Sequence, residues 1–328
     1  MSLVGGGRRD WRFWAGIVLS LITLSWLAYS TDWAAVGAAL RDMDYRWVLL
    51  ATLLNLISVP LRTVRWRLMF PPDRLPPWRR LLSALLIGQA VNVLAPARLG
   101  DLLRASLVGQ GSTAYALGTL VIEKALDLLL LAALVVLLLS QVALPVWWRG
   151  SGQALVVTAV AALLIVAAMA LARRPMLRLL ATLEARWPQQ WARRMLAAAR
   201  QILGSLEALR WPVLLPALAC SAGIWFFYGA VNDVLLRAIG EPPSVLAALF
   251  VLAVLQLGVA VPSSPGRIGV YHYLCIQALL VFGIGEAPAL SYAIALHLIS
   301  VVLPMALGAV LAWQLGVPLV AHPAATES

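Results

Sequence analysis

Two five-residue stretches carry the most specific chemistry in this chain: Pro96-Ala97-Arg98-Leu99-Gly100 and Pro265-Gly266-Arg267-Ile268-Gly269. In each, proline ends an incoming helix and glycine lets the backbone turn sharply or approach a ligand closely. The helix that follows offers unpaired backbone N–H groups, which is a ready site for an anion. Arg98 or Arg267 adds a planar fork that matches phosphate. The two turns lie 169 residues apart, and each follows a short apolar segment. One such arginine alone is better read as an anchor at a membrane surface. Its recurrence in two related turns favours a ligand site. On that reading Arg98, Asp101, Arg104, Gly100 and Asn92 belong to the first half-site, Arg267, Gly266 and Gly269 to the second. Pro96 and Pro265 are the conformational points.

A second group is Glu123, Lys124 and Asp127, set in an otherwise apolar run. Glu123 and Asp127 are four residues apart and share a helix face, with Lys124 on the adjacent one. Arg98, Asp101 and Arg104 recur every three residues, so an arginine from that face can pair with Glu123 or Asp127. Such a cluster is a structural ion-pair network, a polar lining that meets a ligand, or both. His272 and His297 stand alone in apolar segments and read as hydrogen-bonded packing residues. There is no P-loop, no His-Glu-x-x-His and no nucleophile elbow, so no catalytic residue is assigned. Cys220 and Cys275 lie in apolar segments and suggest neither a disulfide framework nor a metal site. No metal and no cofactor are expected.

The elements that must position these residues follow from composition. Of 328 residues, 62% are hydrophobic and only 12% charged, against about 25% charged in a soluble domain. That much apolar surface requires lipid as solvent. Residues 13–30, 154–172 and 212–232 are free of charge over roughly a bilayer's worth of helix. The sequence does not alternate over strand-length segments, which argues against a β-barrel. Helices are expected over about 13–30, 47–61, 117–144, 154–172, 212–236, 270–284 and 287–315. Residues 81–95 and 244–261 are short apolar segments and are expected to re-enter rather than cross. The fold class expected is therefore an all-α polytopic membrane protein, with about seven spanning helices plus two re-entrant segments.

Net charge is +11, and Lys124 is the only lysine. Residues 61–80 hold six arginines against Asp73, and residues 173–210 hold eight arginines and two glutamates. Basic loops stay on the cytoplasmic side, which puts both stretches and the N-terminus inside. The arginines follow the membrane topology, so no nucleic-acid partner is expected. Within 173–210, Trp191, Met195, Ala198, Ile202, Leu206 and Leu209 recur at helical spacing, as in an amphipathic helix lying in the interface. This stretch separates a first half (about 1–172) from a second (211–317), with a short tail at 318–328. Each turn is preceded by one helix and followed by two, and the matching helices run in opposite directions. The halves form an inverted repeat of the kind found in transporters.

Four blocks in order resemble the transmembrane, flippase-like domain of lysylphosphatidylglycerol synthases and its stand-alone relatives. They are Leu61-Arg62-x-x-Arg65-Trp66-Arg67, Asn92-x-x-x-Pro96-x-Arg98-x-Gly100-Asp101-x-x-Arg104, Glu123-Lys124-x-x-Asp127 and Pro265-Gly266-x-Ile268-Gly269. The resemblance covers most of the chain. It implies movement of an anionic or modified membrane lipid between leaflets of the bacterial inner membrane, with the turn residues at the headgroup. The partners it implies are membrane lipids and enzymes of lipid biosynthesis. It implies a second glycine where Arg267 stands, a glutamate where His272 stands, and a glutamate where Asp101 stands. The soluble aminoacyl-transfer domain of the full-length synthases is absent from this sequence, so aminoacylation is not expected. The alternatives are a membrane-embedded transferase acting on a lipid-linked substrate, and a scaffold subunit of a hopanoid or glycolipid pathway.

The charge count yields a direct test of topology. Cysteines placed at positions 74 and 193 should resist a membrane-impermeant thiol reagent in intact cells. Labelling of either from outside would reverse the orientation.

Overall fold

A computed structural model describes residues 32–94, 99–109, 113–141, 146–186, 189–258 and 265–317, with isolated positions between 18 and 29. The helix expected over 13–30 lies outside the described residues, those isolated positions apart. So do Pro96, Arg98 and the tail at 318–328. Among the described residues every regular element is helical. In chain order these are α1 (Trp33–Arg41), α2 (Tyr45–Leu68), α3 (Trp78–Leu94), α4 (Leu99–Leu107), α5 (Thr113–Gln141), α6 (Val146–Leu171) and α7 (Arg173–Arg186). They continue with α8 (Gln190–Ser205), α9 (Trp211–Ala238), α10 (Val245–Gly258), α11 (Val270–Leu280), α12 (Glu286–His297) and α13 (Leu303–Gln314). A π turn, Leu298–Val302, joins α12 to α13.

Among the described residues three stretches are long and apolar enough to cross a membrane: α2, α9 and the continuous α12–α13 run. A fourth is added if α6 and α7, bent by 62° at their junction, form one broken span. The chain is a multi-pass, all-helical membrane protein. The segments expected to be short are short: α3 has 17 residues and α10 has 14.

The chain divides into two compact units woven from separate stretches. The first comprises residues 1–52, 93–96 and 229–303. In it α11 packs between α10 and α12, and α1 lies on α12. Asp32 caps α1 by accepting from the N–H groups of Ala34 and Ala35. The Tyr292 hydroxyl, fully buried on α12, donates to Asn232 Oδ1 at 2.7 Å, so this ring meets no unsatisfied polar cost.

The second unit comprises residues 53–92, 97–228 and 304–328. Its core gathers Trp66 and Phe70 of α2, Leu81 and Ala84 of α3, Ala105 of α4 and Tyr115, Ala116 and Leu120 of α5. Trp66 and Phe70 meet edge to face at 5.8 Å. Helices α3 and α4 touch backbone to backbone. A Cβ at Gly88 would sit 2.7 Å from the Gly100 carbonyl and 2.8 Å from Arg104 Cβ. A Cβ at Gly100 would strike the Gly88 carbonyl and stand 2.7 Å from both Asn92 N and Oδ1.

Two expectations are corrected. The segment expected to end at 61 continues through Pro60 to Leu68, and it carries Arg62, Arg65 and Arg67 inside a helix rather than in a basic loop. Membrane helices tolerate such a proline where neighbouring hydroxyls serve the backbone. Ser58 and Thr63 flank it and donate to the carbonyls of Asn55 and Val59, while the carbonyl that Pro60 deprives of its N–H partner is that of Leu56. The amphipathic stretch likewise does not lie wholly in an interface. Helix α8 packs against α5, because Gly118 has no side chain and admits Ser205 Oγ and the Ile202 carbonyl. Ala192, Leu203 and Ser205 are buried there, while Trp191 and Met195 remain exposed.

The glycine contact makes a stability test. Gly100→Ala should cost about 1–3 kcal/mol through overpacking, read as a lower unfolding temperature in detergent. Gly37→Ala, where a Cβ meets nothing within 4 Å, should leave that temperature unchanged or raise it. Equal effects at the two sites would contradict the packing described.

Candidate functional site

Helix α2 presents Arg62, Arg65 and Trp66 at three- and four-residue spacing, which places them on one face. Helix α5 presents Thr119, Glu123 and Asp127, each four residues from the next, on one face of its own. Helix α4 contributes Asp101 and Arg104 in its first two turns. In the second unit these faces meet around a single carboxylate. Glu123 forms an ion pair with Arg65 Nη2 at 3.1 Å and accepts from Arg104 at 3.2 and 3.0 Å, the last two forming a bidentate fork. Arg65 Nη1 also donates to Asp127 Oδ1 at 2.6 Å and to Ser221 Oγ of α9 at 3.0 Å. The Arg104 guanidinium stacks on Trp66, 3.8 Å from the ring centroid, and Trp66 Nε1–H donates to Thr119 Oγ1 at 3.0 Å.

Two guanidiniums and two carboxylates make the cluster neutral. Arg65, Arg104 and Glu123 are almost wholly buried, whereas the Asp127 side chain is 31% exposed. The cluster therefore opens at Asp127. Nε of Arg65 and Nε of Arg104 are buried without hydrogen-bond partners. Beside this cluster, Arg62 donates to an amide, Gln89 Oε1 at 2.8 Å, rather than to a carboxylate. At the α3–α4 junction Asn92 Nδ2 donates to Asp101 Oδ1 at 3.0 Å, which ties together the ends of the two helices.

The sequence-expected residues thus separate into four groups, the last being Gly266, Arg267 and Gly269 in the first unit. Asn92, Gly100, Asp101, Arg104, Glu123 and Asp127 fall in the second unit around α3, α4 and α5, and the expected arginine–glutamate pairing is made by Arg104. Lys124 is exposed. Arg98 and Pro96 lie outside the described residues. Sequence reasoning missed Arg62, Arg65, Trp66, Thr119, Gln89 and Ser221. Charge balance was the available signal: two acids in an apolar helix need two cations, Arg104 supplies one, and Arg65 on the helical Arg62-x-x-Arg65 face supplies the other.

In the first unit the turn Pro265–Arg267 has positive φ at Gly266 (76°) and, unusually for a side chain, at Arg267 (58°); Gly269 follows at 88°. The two histidines read as isolated are instead neighbours, with ring centroids 5.0 Å apart. His297 Nε2 lies 2.8 Å from the Gly266 carbonyl; a carbonyl only accepts, so that nitrogen carries the proton. Elsewhere, a cleft of about 530 Å³ in the second unit is lined by Arg74, Tyr115, Glu184, Arg200 and Glu207 among others. Its carboxylates are already paired, Asp73 with Arg74, Glu184 with Arg200 and Glu207 with Arg173 and Arg210.

Residues 13–308 match the model of the lysylphosphatidylglycerol synthase TM region. A stretch of 127 residues, 37% of this chain, is 32% identical to the glycosyltransferase AglD of Haloferax volcanii. The match spans 20% of that relative's length. No solved structure matches. With the apolar helices, these findings make the chain a membrane protein of lipid-related function.

The geometry ranks the two carboxylates. Glu123→Gln leaves two buried guanidiniums short of charge and should cost about 3–5 kcal/mol, the usual penalty for breaking a buried pair. Asp127→Asn keeps the open edge hydrated and should cost less. Chemical unfolding in detergent measures both; a larger loss at Asp127 would contradict the assignment of Glu123 as the shared counter-ion.

Proposed function

The chain belongs to the lysylphosphatidylglycerol synthase transmembrane-region family, and on that premise we propose that it moves an anionic or modified membrane lipid between leaflets. The observation that carries this reading is the buried ion cluster with one open edge. Charged groups inside a membrane protein are costly and face partners or a polar path. Glu123 is satisfied by two arginines, while Asp127 is partly exposed and Arg62 gives its fork to an amide. A headgroup phosphate fits Arg62, and Asp127 suits a cationic group carried beside that phosphate. In this reading Gly100 of the second unit and, separately, Gly266, Arg267 and Gly269 of the first are further headgroup contacts, with Arg98 added as an expectation from the sequence.

The short segments support a transporter architecture. At about 1.5 Å per residue α3 is roughly 25 Å long and α10 roughly 21 Å, short of the ~30 Å hydrocarbon core. Segments of this length suit re-entrant elements of an inverted repeat. This reading puts the chain in the inner membrane with its N-terminus inside, and takes 173–210 as the linker between its halves.

A transferase acting on a lipid-linked substrate is the second reading, and the partial likeness to a protein named a glycosyltransferase favours it. A general base must be free to take a proton. Glu123 is held by two guanidiniums, which suits electrostatic positioning better than proton abstraction.

Reconstitution tests the choice. Proteoliposomes should translocate a labelled anionic phospholipid faster than empty liposomes, and Arg62→Gln should slow this at least tenfold while the protein still folds, about the worth of one charge-assisted bond. No translocation across a broad lipid panel would end the transport reading. Loss of a modified lipid species from a deletion strain would favour the transferase instead.

A further inference from the structure

In the first unit the turn before α11 is built from features that favour one sign of charge. Helix α11 starts at Val270 with Gly269 as its N-cap, and no side chain caps its first-turn N–H groups. Those groups point back at the turn and carry the positive end of the helix dipole. His272 is the third residue of the helix, and helical side chains lean toward the N-terminus, which carries its ring over the same turn. Its centroid is 5.0 Å from that of His297, which itself holds the Gly266 carbonyl. The Tyr271 hydroxyl lies 3.0 Å from Ser300 Oγ and fixes the start of α11 to the π turn. His272 is only 7% exposed, and its Nδ1 is buried without a hydrogen-bond partner. A buried polar atom left this way is costly until something binds it.

The surrounding charge completes the description. From residue 242 to 285 the sequence holds no carboxylate, and its charged or readily protonated groups are Arg267 and His272. Helix α10, packed against α11, carries no titratable side chain. Helix α11 adds Tyr271, Tyr273 and Cys275. Helix α12 adds Glu286 at its first position, Tyr292 and His297, and the end of α9, bonded to Tyr292 through Asn232, adds Asp233 and Arg237, which pair with each other. Helix α1, packed on α12, ends on Arg41. Arg267 lies within electrostatic reach of His297. Glu286 is eleven residues from His297, about 16 Å along the helix.

We infer that this turn, the α11 N-terminus, Arg267 and the His272–His297 pair form a proton-linked seat for a phosphodiester anion. When His272 takes a proton, Nδ1–H becomes a donor that the protein leaves without an acceptor. A non-bridging phosphate oxygen supplies that acceptor while its partner oxygen meets the first-turn N–H groups. Proton and anion therefore bind together. A phosphodiester keeps its single charge across the range in which histidine titrates, so the linkage belongs to the protein. The choice of a phospholipid as bearer of that group rests on the transport reading; the seat itself stands on the turn.

The test uses purified full-length protein in detergent, titrated calorimetrically with dioctanoyl phosphatidylglycerol, with chainless glycerophosphoglycerol and with dioctanoyl phosphatidylcholine. Phosphatidylglycerol should bind about tenfold tighter near pH 5.5 than near pH 8, and phosphatidylcholine, which carries the same phosphodiester beside a quaternary ammonium, should show a difference of the same sign. His272→Gln should abolish the pH difference, and Arg267→Gln should weaken binding at both. Equal affinity at the two pH values in the unsubstituted protein overturns the seat, whatever the variants do. So does a pH difference that survives His272→Gln. If the chainless compound binds as tightly as the lipid, the seat reads a free phosphodiester; if only the lipid binds, it reads a headgroup. pH-linked binding without translocation in vesicles would sink the transport reading and keep the seat. Translocation without pH-linked binding would do the reverse.

Discussion

Glu123 is the one group on which the second unit depends. A carboxylate buried in an apolar helix needs compensating charge, and two guanidiniums supply it here from α2 and α4. Each arginine is in turn held by a second device. Asp127 and Ser221 take up Arg65, and the face of Trp66 takes up Arg104. Neither helix can shift without leaving a charge uncompensated. The glycine contact between α3 and α4 follows the same logic, because Arg104 reaches Glu123 only if α4 comes this close to α3. Backbone contact and ion cluster are two views of one constraint.

That constraint explains which parts of the structure were legible in the sequence. Apolar runs coincide with helices almost throughout: 117–144 with α5, 212–236 with α9, 287–315 with α12 through α13. Hydropathy reports lipid contact directly, so these elements needed no tertiary information. Arg104 was legible as a partner of the α5 carboxylates because its spacing from Asp101 declares a helix face. Arg65 was not. Pro60 and a dense arginine run look like the end of a span and the start of a cytoplasmic loop. Only the carboxylates of α5, 58 and 62 positions further on, make a helical Arg65 affordable in the interior. The stripe on α8 misled for a related reason. Its helical period was right, but the missing side chain at Gly118 brings α8 onto α5. The histidine pair was invisible because its members sit on different helices.

The two polar groups differ in what they leave open. In the second unit charge is closed at Glu123 and open at Asp127 and Arg62, a pattern that suits a headgroup passing along the edge of a rigid cluster. In the first unit the turn before α11 has donors and cations but an unpartnered imidazole nitrogen. The second-unit cluster is held wholly by packed helices, and the first-unit imidazoles stand on packed helices beside the turn; geometry held in that way persists without ligand. Such preorganisation suits repeated binding and release better than a single covalent event.

The central claim is that Glu123 is shared by Arg65 and Arg104 and holds their helices together. A double-mutant cycle measures this most directly, with Arg104→Met, Glu123→Leu and the pair compared by reversible unfolding in detergent. The expected result is a coupling of about 2–3 kcal/mol, with the double mutant more stable than the sum of the single losses. Strictly additive losses would mean that the two side chains do not act on each other, and the account of the second unit would fail.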